Sequence, residues 1–334
     1  MKEIKQKVKL LNSISPLEFL PNLSKHLGPK IYIKRDDEGG RGAGGNKLRK
    51  YERIIGDALA SNCDTLIIAG HYQSNASRAL VGVACQLGLK SVVVCKEMIP
   101  PQNADFLKNG NALLLNLMDA EIVPIEKETD YQTAMLEVAE QIKLKGGKPY
   151  IIPFGGSNFL GVMGYVDCAQ EIIEQFDELN FQPPDYVFVA CGSGGTQAGL
   201  EAGFLSNNYK TKTIGISVLH DQEKATTIVS NLSYEALKRI DPDFDYDLDI
   251  IVDDDFVGEA YGIPTQKGLD AIKLVAKLEG LFLCPVYTGK AMSGLISYIE
   301  EGKITKNDTV VFIHTGGMPL IYAYYDQFFE QSDI

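Results

Sequence analysis

Short runs of β-branched and other apolar residues alternate along the chain with longer stretches of helical character. Each run is apolar at nearly every position rather than at every second one, which is typical of a strand buried on both faces of a parallel sheet. Strands of this kind separated by helices predict an α/β protein. The predicted strands are Ile31–Lys34, Asp64–Gly70, Ser91–Cys95, Asp185–Ala190, Thr213–Val218 and Thr309–Ile313.

Two helices between the early strands are the clearest, Lys47–Ala60 and Asn75–Leu87. With 334 residues, two lobes are expected rather than one. The pattern predicts two doubly wound open-sheet lobes with a cleft between them. In such folds a ligand binds outside the carboxyl ends of the strands, so the loops that follow the strands are expected to hold the chemistry.

Charge and composition narrow the possible partners. The net charge of −12 argues against nucleic acid or an anionic membrane surface. No apolar run has the length of a membrane span, and residues 1–7 lead into no apolar stretch typical of a signal peptide. The six scattered cysteines are typical of core thiols in a reducing compartment. We therefore expect a cytoplasmic protein, and the four scattered histidines predict no metal site.

Lys47 lies where a glycine-rich loop, Gly39–Asn46, meets the first predicted helix. Glycines allow the backbone to approach a flat ligand closely. The positive end of the helix dipole lowers the pKa of a lysine at this position and favours the neutral amine that a Schiff-base lysine needs. The alternative is a solvated lysine beside two further cations, Arg49 and Lys50.

A second glycine-rich turn connects the strand Asp185–Ala190 to a helix that is expected to begin near Gln197. Such a turn binds phosphate through backbone N–H groups, although it can also be a tight turn without a ligand. Gln197 in place of a final glycine argues against a dinucleotide, and the Gly-Lys-Ser/Thr of a P-loop is missing. One phosphate combined with a Schiff-base lysine predicts pyridoxal 5'-phosphate. The predicted phosphate-binding residues are Gly192, Ser193, Gly194, Gly195 and Thr196.

The turn Gly70–Arg78 follows another buried strand and precedes another helix. Ser74 or Asn75 fits a simple helix N-cap. The functional alternative is that Asn75 binds the phenolic oxygen of the cofactor while Ser74 and Gln73 bind a substrate carboxylate at the helix N-terminus.

Late in the chain, tyrosines and threonines lie beside glycine turns. Buried tyrosines are more often core residues whose hydroxyl has a partner. The alternative for Tyr287, which precedes Thr288 and Gly289, is that its ring stacks on a flat ligand.

These segments resemble the D-cysteine desulfhydrase and 1-aminocyclopropane-1-carboxylate deaminase family of pyridoxal-phosphate enzymes. That family has the tryptophan-synthase-β fold, called fold type II, so the resemblance implies a large domain of residues 1–49 and 155–334 with residues 50–154 inserted as a smaller one. A homodimer is also implied. The matching segments are Ser15–Pro21, Ile33–Asp37, Gly44–Lys47, Gln73–Asn75, Gly155–Asn158, Gly192–Thr196, Pro285–Lys290 and His314–Gly317.

The resemblance also implies individual roles. It makes Lys47 the lysine that binds the cofactor covalently, Asn75 the residue on the ring oxygen, and Tyr287 the residue on the ring face. A small amino-acid substrate is expected next to Tyr261 and Ser74. Further substrate contacts are implied for Gly156, Ser157 and Asn158.

Thr288 bears on the reaction type. The cyclopropane deaminases of the family have glutamate at this position, next to the pyridine nitrogen. A carboxylate keeps that nitrogen protonated and the ring a strong electron sink, whereas a hydroxyl does not. Thr315 offers a second hydroxyl for the same nitrogen. A weak sink suffices when a β-substituent leaves with the charge, so β-elimination is favoured.

The predicted reaction is β-elimination from a small amino acid, with D-cysteine giving pyruvate, hydrogen sulfide and ammonia. Deamination of the cyclopropane amino acid, β-replacement by a second nucleophile, and a non-catalytic cofactor-binding relative stay open. Two departures from the family leave the substrate open as well. Ala76 stands where the desulfhydrases have histidine, and Cys284 stands where aspartate is usual.

Overall fold

The chain forms two β-sheets surrounded by helices. The computed structural model describes residues 7–245 and 247–329. In chain order the strands are β1 (Leu17–Phe19), β2 (Lys30–Lys34), β3 (Thr65–Gly70), β4 (Lys90–Cys95), β5 (Glu121–Pro124), β6 (Pro149–Ile151), β7 (Tyr186–Cys191), β8 (Lys212–Ser217), β9 (Ile251–Asp253) and β10 (Thr309–Ile313).

The helices lie on both faces of the sheets. They are α1 (Pro21–Leu27), α2 (Lys47–Ala60), α3 (Asn75–Leu87), α4 (Gly110–Leu117), α5 (Tyr131–Leu144), α6 (Phe159–Glu178), α7 (Gly195–Ser206), α8 (Gln222–Ile240), α9 (Gln266–Glu279), α10 (Thr288–Glu300) and α11 (Pro319–Ala323). Among the described residues, no helix is both long and apolar enough to cross a lipid bilayer.

The two sheets differ in size. The larger sheet has the order β1-β2-β10-β7-β8-β9 and the smaller sheet the order β5-β4-β3-β6. Neighbouring strands are parallel throughout, except that β1 is antiparallel to β2 at one edge. The predicted fold class, two doubly wound open-sheet lobes, is therefore confirmed by the topology.

All six predicted strands are present, with ends within one residue of the prediction. Sequence patterning missed β1, β5, β6 and β9. Each of these has only three or four residues and lies at the edge of its sheet, where a strand is half-covered and carries no continuous apolar run.

Strand β7 shows why the central strands read as unbroken apolar runs. Phe188 and Ala190 point into the core beneath α9 and α10, whereas Val187 and Val189 point into the opposite core against Leu200. Because both faces are covered, both sets of alternating side chains are apolar.

A buried ion network holds the first turn of α2. Arg49 Nε donates to both carboxylate oxygens of Asp36 at 2.9 Å, and its two Nη atoms donate to Glu171 on α6 at 2.8 and 2.7 Å. Tyr165 donates to the same Asp36 at 2.5 Å. Lys47, two residues before Arg49, is therefore carried by a rigid helix end. The predicted domain boundary between residues 49 and 50 falls inside this helix, and the domain division stays a prediction.

Candidate active site

Lys47 is the first residue of α2, and its partly exposed side chain lines a cleft. Its Nζ donates to Asn46 Oδ1 at 3.2 Å. Burial and the nearby charge of Arg78 lower the pKa of the amine to about 8. The approach to Lys47 requires glycine at position 44, because φ is +63° there and a Cβ would overlap the Asp37 carbonyl.

The predicted phosphate turn lines the same cleft as the start of this helix. Gly192, Ser193, Gly194 and Thr196 all line the cleft, and α7 begins at Gly195. A Cβ at Gly195 would lie 2.6 Å from Ser157 Oγ and 3.0 Å from Lys50 Nζ. Glycine at this position therefore lets the Ser157 hydroxyl and the Lys50 amine pack closely against the start of the helix, whose backbone N–H groups and positive dipole end suit an anion.

Lys50 is a residue that sequence reasoning missed, because it was treated there only as a neighbouring cation. The structure buries its side chain, with Nζ donating to Ser157 Oγ at 3.1 Å and to the Gly155 carbonyl at 3.3 Å. Both acceptors are neutral, and no described ion pair involves Lys50. Burial and the charge of Lys47 hold its pKa well below the usual range. A buried, uncompensated cation beside the glycine turn fits a ligand phosphate.

Asn46 links these two features. Its Oδ1 accepts from Lys47, and its Nδ2 donates to Thr196 Oγ1 at 3.1 Å. The Lys47 amine and the predicted phosphate turn are therefore connected through one buried amide.

Ser74 and Asn75 both line the cleft, as predicted for a functional turn. Ser74 is also the N-cap of α3, and its Oγ accepts from Ser77 N at 3.1 Å. Asn75 Oδ1 accepts from Asn111 Nδ2 at 2.8 Å, which fixes the amide orientation. The N-cap and the functional interpretations are thus compatible for this turn.

Gly195 and Thr288 of the predicted cofactor set lie outside the cleft lining, and so do four of the five predicted substrate-binding residues. Gln73 is turned towards the segment before α4: it donates to the Phe106 and Asn109 carbonyls and accepts from Asn111 N. Asn158 caps α6 by accepting from Gly161 N at 3.0 Å. Backbone donors and carbonyls therefore occupy the groups that were expected to bind substrate.

The remaining two are Gly156 and Ser157. The Ser157 hydroxyl bonds to Ser193 Oγ at 2.8 Å and to Lys50, so it belongs to the phosphate turn rather than to a substrate pocket. Gly156 packs against Tyr51 and Lys50, and from this segment it is Phe154 and Gly155 that reach the cleft.

Tyr261 and Tyr287 line the cleft together, and their hydroxyls are hydrogen-bonded to each other. His71 extends the chain, with Nε2 3.0 Å from the Tyr261 hydroxyl. Burial lowers the pKa of His71 to about 4, so its imidazole is neutral at neutral pH, and burial raises the pKa of Tyr261 to about 12. Sequence reasoning missed His71, although its position directly after β3 was a usable signal.

The two threonines behave differently. Thr315 lines the cleft, whereas Thr288 is buried at the start of α10 and its Oγ1 accepts from Cys284 N at 2.7 Å. Thr288 thus closes the turn that carries Tyr287. Of the two hydroxyls expected near the pyridine nitrogen, only that of Thr315 belongs to the cleft lining.

Fold and site together define a class of protein. It is a two-lobed α/β protein whose cleft is lined by one lysine with a lowered pKa and by a glycine turn at the start of a helix. A cation buried without a carboxylate, beside a glycine turn at the start of a helix, fits the phosphate of pyridoxal 5'-phosphate. The described lining also contains Asn75 for the ring oxygen and Tyr287 for the ring face.

Comparison with known proteins agrees with this class. Residues 8–316 match the family of pyridoxal-phosphate dependent enzymes, and the chain belongs to that family. A solved structure described as an ACC deaminase homologue, where ACC is 1-aminocyclopropane-1-carboxylate, is 34% identical with a TM-score of 0.86, covering 98% of each chain. The resemblance, the fold type and the cofactor predicted from the sequence are thereby confirmed.

Two more distant structures share the fold. The processed form of threonine deaminase isoform 2 from Solanum lycopersicum is 20% identical with a TM-score of 0.62, covering 92% of this chain and 80% of that one. A hydrogen sulfide-producing enzyme from Fusobacterium nucleatum is 16% identical with a TM-score of 0.62, covering 92% and 94%.

Proposed function

We propose that the protein catalyses β-elimination from a small amino acid, with D-cysteine giving pyruvate, hydrogen sulfide and ammonia. One observation carries the proposal. Among the described residues that line the cleft there is no aspartate or glutamate, and its titratable side chains are Lys47, His71, Cys191, Tyr261 and Tyr287.

A cleft without a carboxylate limits how much charge the cofactor ring stabilises. When bound, pyridoxal phosphate supplies an aldehyde that links covalently to amines and a conjugated ring that accepts electrons from Cα. With the Thr315 hydroxyl rather than a carboxylate in the lining, the ring nitrogen is not held protonated. Elimination suits this site because the β-substituent leaves with the electron pair.

The side chains divide the remaining work. Lys47, whose pKa is about 8, has enough neutral amine near neutral pH to remove the Cα proton as a general base. Ser74 and Asn75 at the start of α3 place backbone N–H groups where a substrate carboxylate is stabilised. Tyr261 and Tyr287 place hydroxyls in the same cleft, where one of them donates a proton to the departing sulfur. The aminoacrylate that is released hydrolyses to pyruvate and ammonia.

Two alternatives remain. The 34% identical structure described as an ACC deaminase homologue favours opening of the cyclopropane amino acid. In β-replacement, a second nucleophile would capture the aminoacrylate before its release. Ala76 lines the cleft where the desulfhydrases have histidine, so the identity of the substrate needs a direct test.

The test compares D-cysteine, L-cysteine, β-chloro-D-alanine and 1-aminocyclopropane-1-carboxylate on one preparation. Pyruvate, ammonia and sulfide are measured, with Lys47→Ala as the blank. We expect equal amounts of the three products from D-cysteine and little ring opening. Ring opening without elimination from any β-substituted alanine would contradict the proposal, and sulfide without pyruvate would indicate β-replacement.

His71 is expected to matter most when the leaving group needs a proton. His71→Phe removes the hydrogen bond that orients the Tyr261 hydroxyl. A lost hydrogen bond is worth about 1 kcal/mol, so kcat with D-cysteine should fall roughly fivefold. Chloride leaves without a proton, so kcat with β-chloro-D-alanine should change little. His71→Gln, which keeps a polar group near Tyr261, should restore most of the loss. Equal losses with both substrates would show that His71 has only a packing role.

A homodimer and a cytoplasmic location also remain part of the proposal. Both follow from the family resemblance and the composition. Light scattering on the purified protein tests the first, because a mass of one 334-residue chain would contradict it.

A further inference from the structure

Arg78 is a buried guanidinium without an acidic partner. It lies in the first turn of α3 and is 1% exposed. Its Nη1 donates to the Gly42 carbonyl and its Nη2 to the Gly44 carbonyl at 3.4 Å, while its Nε has no partner among the described residues. None of the described ion pairs includes Arg78. Burying an unpaired cation is costly, so a purely structural role is a poor explanation for its charge.

Both of its acceptors belong to the loop that ends at Lys47. This loop lies directly on α3, where a Cβ at Gly42 would be 3.3 Å from Gly82 Cα. The planar fork of an arginine suits two neighbouring carbonyls, which a lysine could not hold in the same way. Arg78 therefore fixes the backbone three and five residues before the reactive amine.

We propose that Arg78 is a positioning residue for Lys47: its fork holds the glycine loop, and its buried charge acts on the amine at the end of that loop. This inference rests on the proposed role of Lys47 in binding the cofactor. The Nη atoms of Arg78 donate to the Gly42 and Gly44 carbonyls and not to the glycine turn where we place the phosphate, so the phosphate would not neutralise Arg78. Its charge therefore persists when the site is loaded.

The groups around Lys47 agree with this assignment. Burial lowers the pKa of Lys47 the most, and the positive charge of Arg78 lowers it further. On α2, Lys50 faces the phosphate turn, and Tyr51 is a neutral phenol whose pKa is raised by burial. From β7, Cys191 is a neutral thiol whose pKa burial raises to about 12. From α3, Asn75 carries no charge. A ligand phosphate would neutralise the charge of Lys50. The charge of Arg78 would remain.

The test uses the full-length protein stripped of cofactor with hydroxylamine. The rate of covalent recombination with pyridoxal 5'-phosphate is followed by visible absorbance as a function of pH, and circular dichroism verifies the fold. For the parent, the rate should rise with a midpoint near pH 8, because only the neutral amine reacts. A midpoint near the ordinary lysine value of about 10.4 would overturn the inference.

Three variants separate charge from geometry. Arg78→Met removes both, and its midpoint should rise by about one pH unit, which lowers the rate at pH 7 roughly tenfold. Arg78→Lys keeps the charge, so its midpoint should stay near that of the parent while its limiting rate at high pH falls. Arg53→Met is the matched control, since Arg53 lies on α2 but is paired with Asp167 at 2.9 Å, and its midpoint should not move.

The results that would contradict the role of Arg78 can be told apart from a failure of the proposed reaction. An unchanged midpoint in Arg78→Met, or an equal rise in Arg78→Lys, would overturn the inference whatever the enzyme catalyses. If Arg78→Met does not fold, the pH midpoints of Arg78→Gln and Arg78→Lys decide whether the inference holds. If no elimination is found with any substrate, the amine titration still tests the inference by itself.

Discussion

Replacing Lys47 by alanine should abolish covalent attachment of the cofactor and nearly all turnover. Lys47 is the only lysine in the described lining of the cleft, so no other amine there can replace it. Loss of proton transfer by itself would lower kcat roughly 10²–10⁴-fold. The measurements are the visible absorbance of the purified protein and pyruvate release from D-cysteine.

Chemical rescue makes this result specific. Methylamine added to Lys47→Ala should restore part of the turnover, because a small amine fits the space of the missing side chain and takes up the proton. Lys290→Met is the matched control, since Lys290 is also a buried lysine but bonds to the Val257 carbonyl at 2.6 Å, outside the cleft lining. A Lys47→Ala protein that keeps the covalent cofactor and its activity would refute the assignment of the catalytic lysine.

Replacing Lys50 by methionine should weaken cofactor binding while leaving the protein folded. The amine of Lys50 lies beside Gly195 and Ser157, where we place the phosphate. A charge-assisted hydrogen bond is worth roughly 1.5–3 kcal/mol, so the Kd for pyridoxal 5'-phosphate should rise roughly 10- to 150-fold. Replacing a buried charge that has no carboxylate partner by an apolar side chain costs little, so the free energy of unfolding without cofactor should be unchanged or higher.

Pyridoxal without its phosphate separates this effect from a general loss of binding. Its affinity should be nearly the same in Lys50→Met and the parent, because the lost interaction is with the phosphate. Gly195→Val, whose side chain would displace Ser157 Oγ and Lys50 Nζ from the glycine turn, should weaken phosphate binding in the same way. If Lys50→Met retained pyridoxal phosphate as tightly as the parent, the phosphate site would have to lie elsewhere.

The residues recognised from the sequence share one property: their signal is local. Lys47 follows a run of glycines and begins a helix, and Gly194 and Thr196 flank the start of another, so short-range patterns were enough. Residues without such a signal were missed. Lys50 and Arg78 look like solvated cations in a one-dimensional sequence, and only packing between α2, α3 and the phosphate turn buries them.

Local signals also misplaced some residues. Gln73 and Asn158 stand beside cleft residues in sequence, but one holds the segment before α4 and the other caps α6. Thr288 directly follows Tyr287, yet its hydroxyl closes the Cys284 turn. Adjacent residues at a helix start point in different directions, so sequence proximity to the site does not decide which side chains enter it.

The sequence by itself determined the central strands, the two glycine turns that precede helices and the cofactor, and it predicted Lys47 as the lysine that binds the cofactor. These depend on backbone conformation and on burial over a few consecutive residues, which composition and periodicity report directly. Only the tertiary structure decided the pKa values of the charged groups and the hydrogen-bond partners of the hydroxyls. The pKa of Lys47 depends on how deeply it is buried and on a guanidinium 31 positions further along the chain. The chain from His71 to Tyr261 and Tyr287 spans 190 residues and then 26 more. Electrostatic and hydrogen-bonding interactions depend on distance in space, and that distance exists only once the two lobes enclose the cleft.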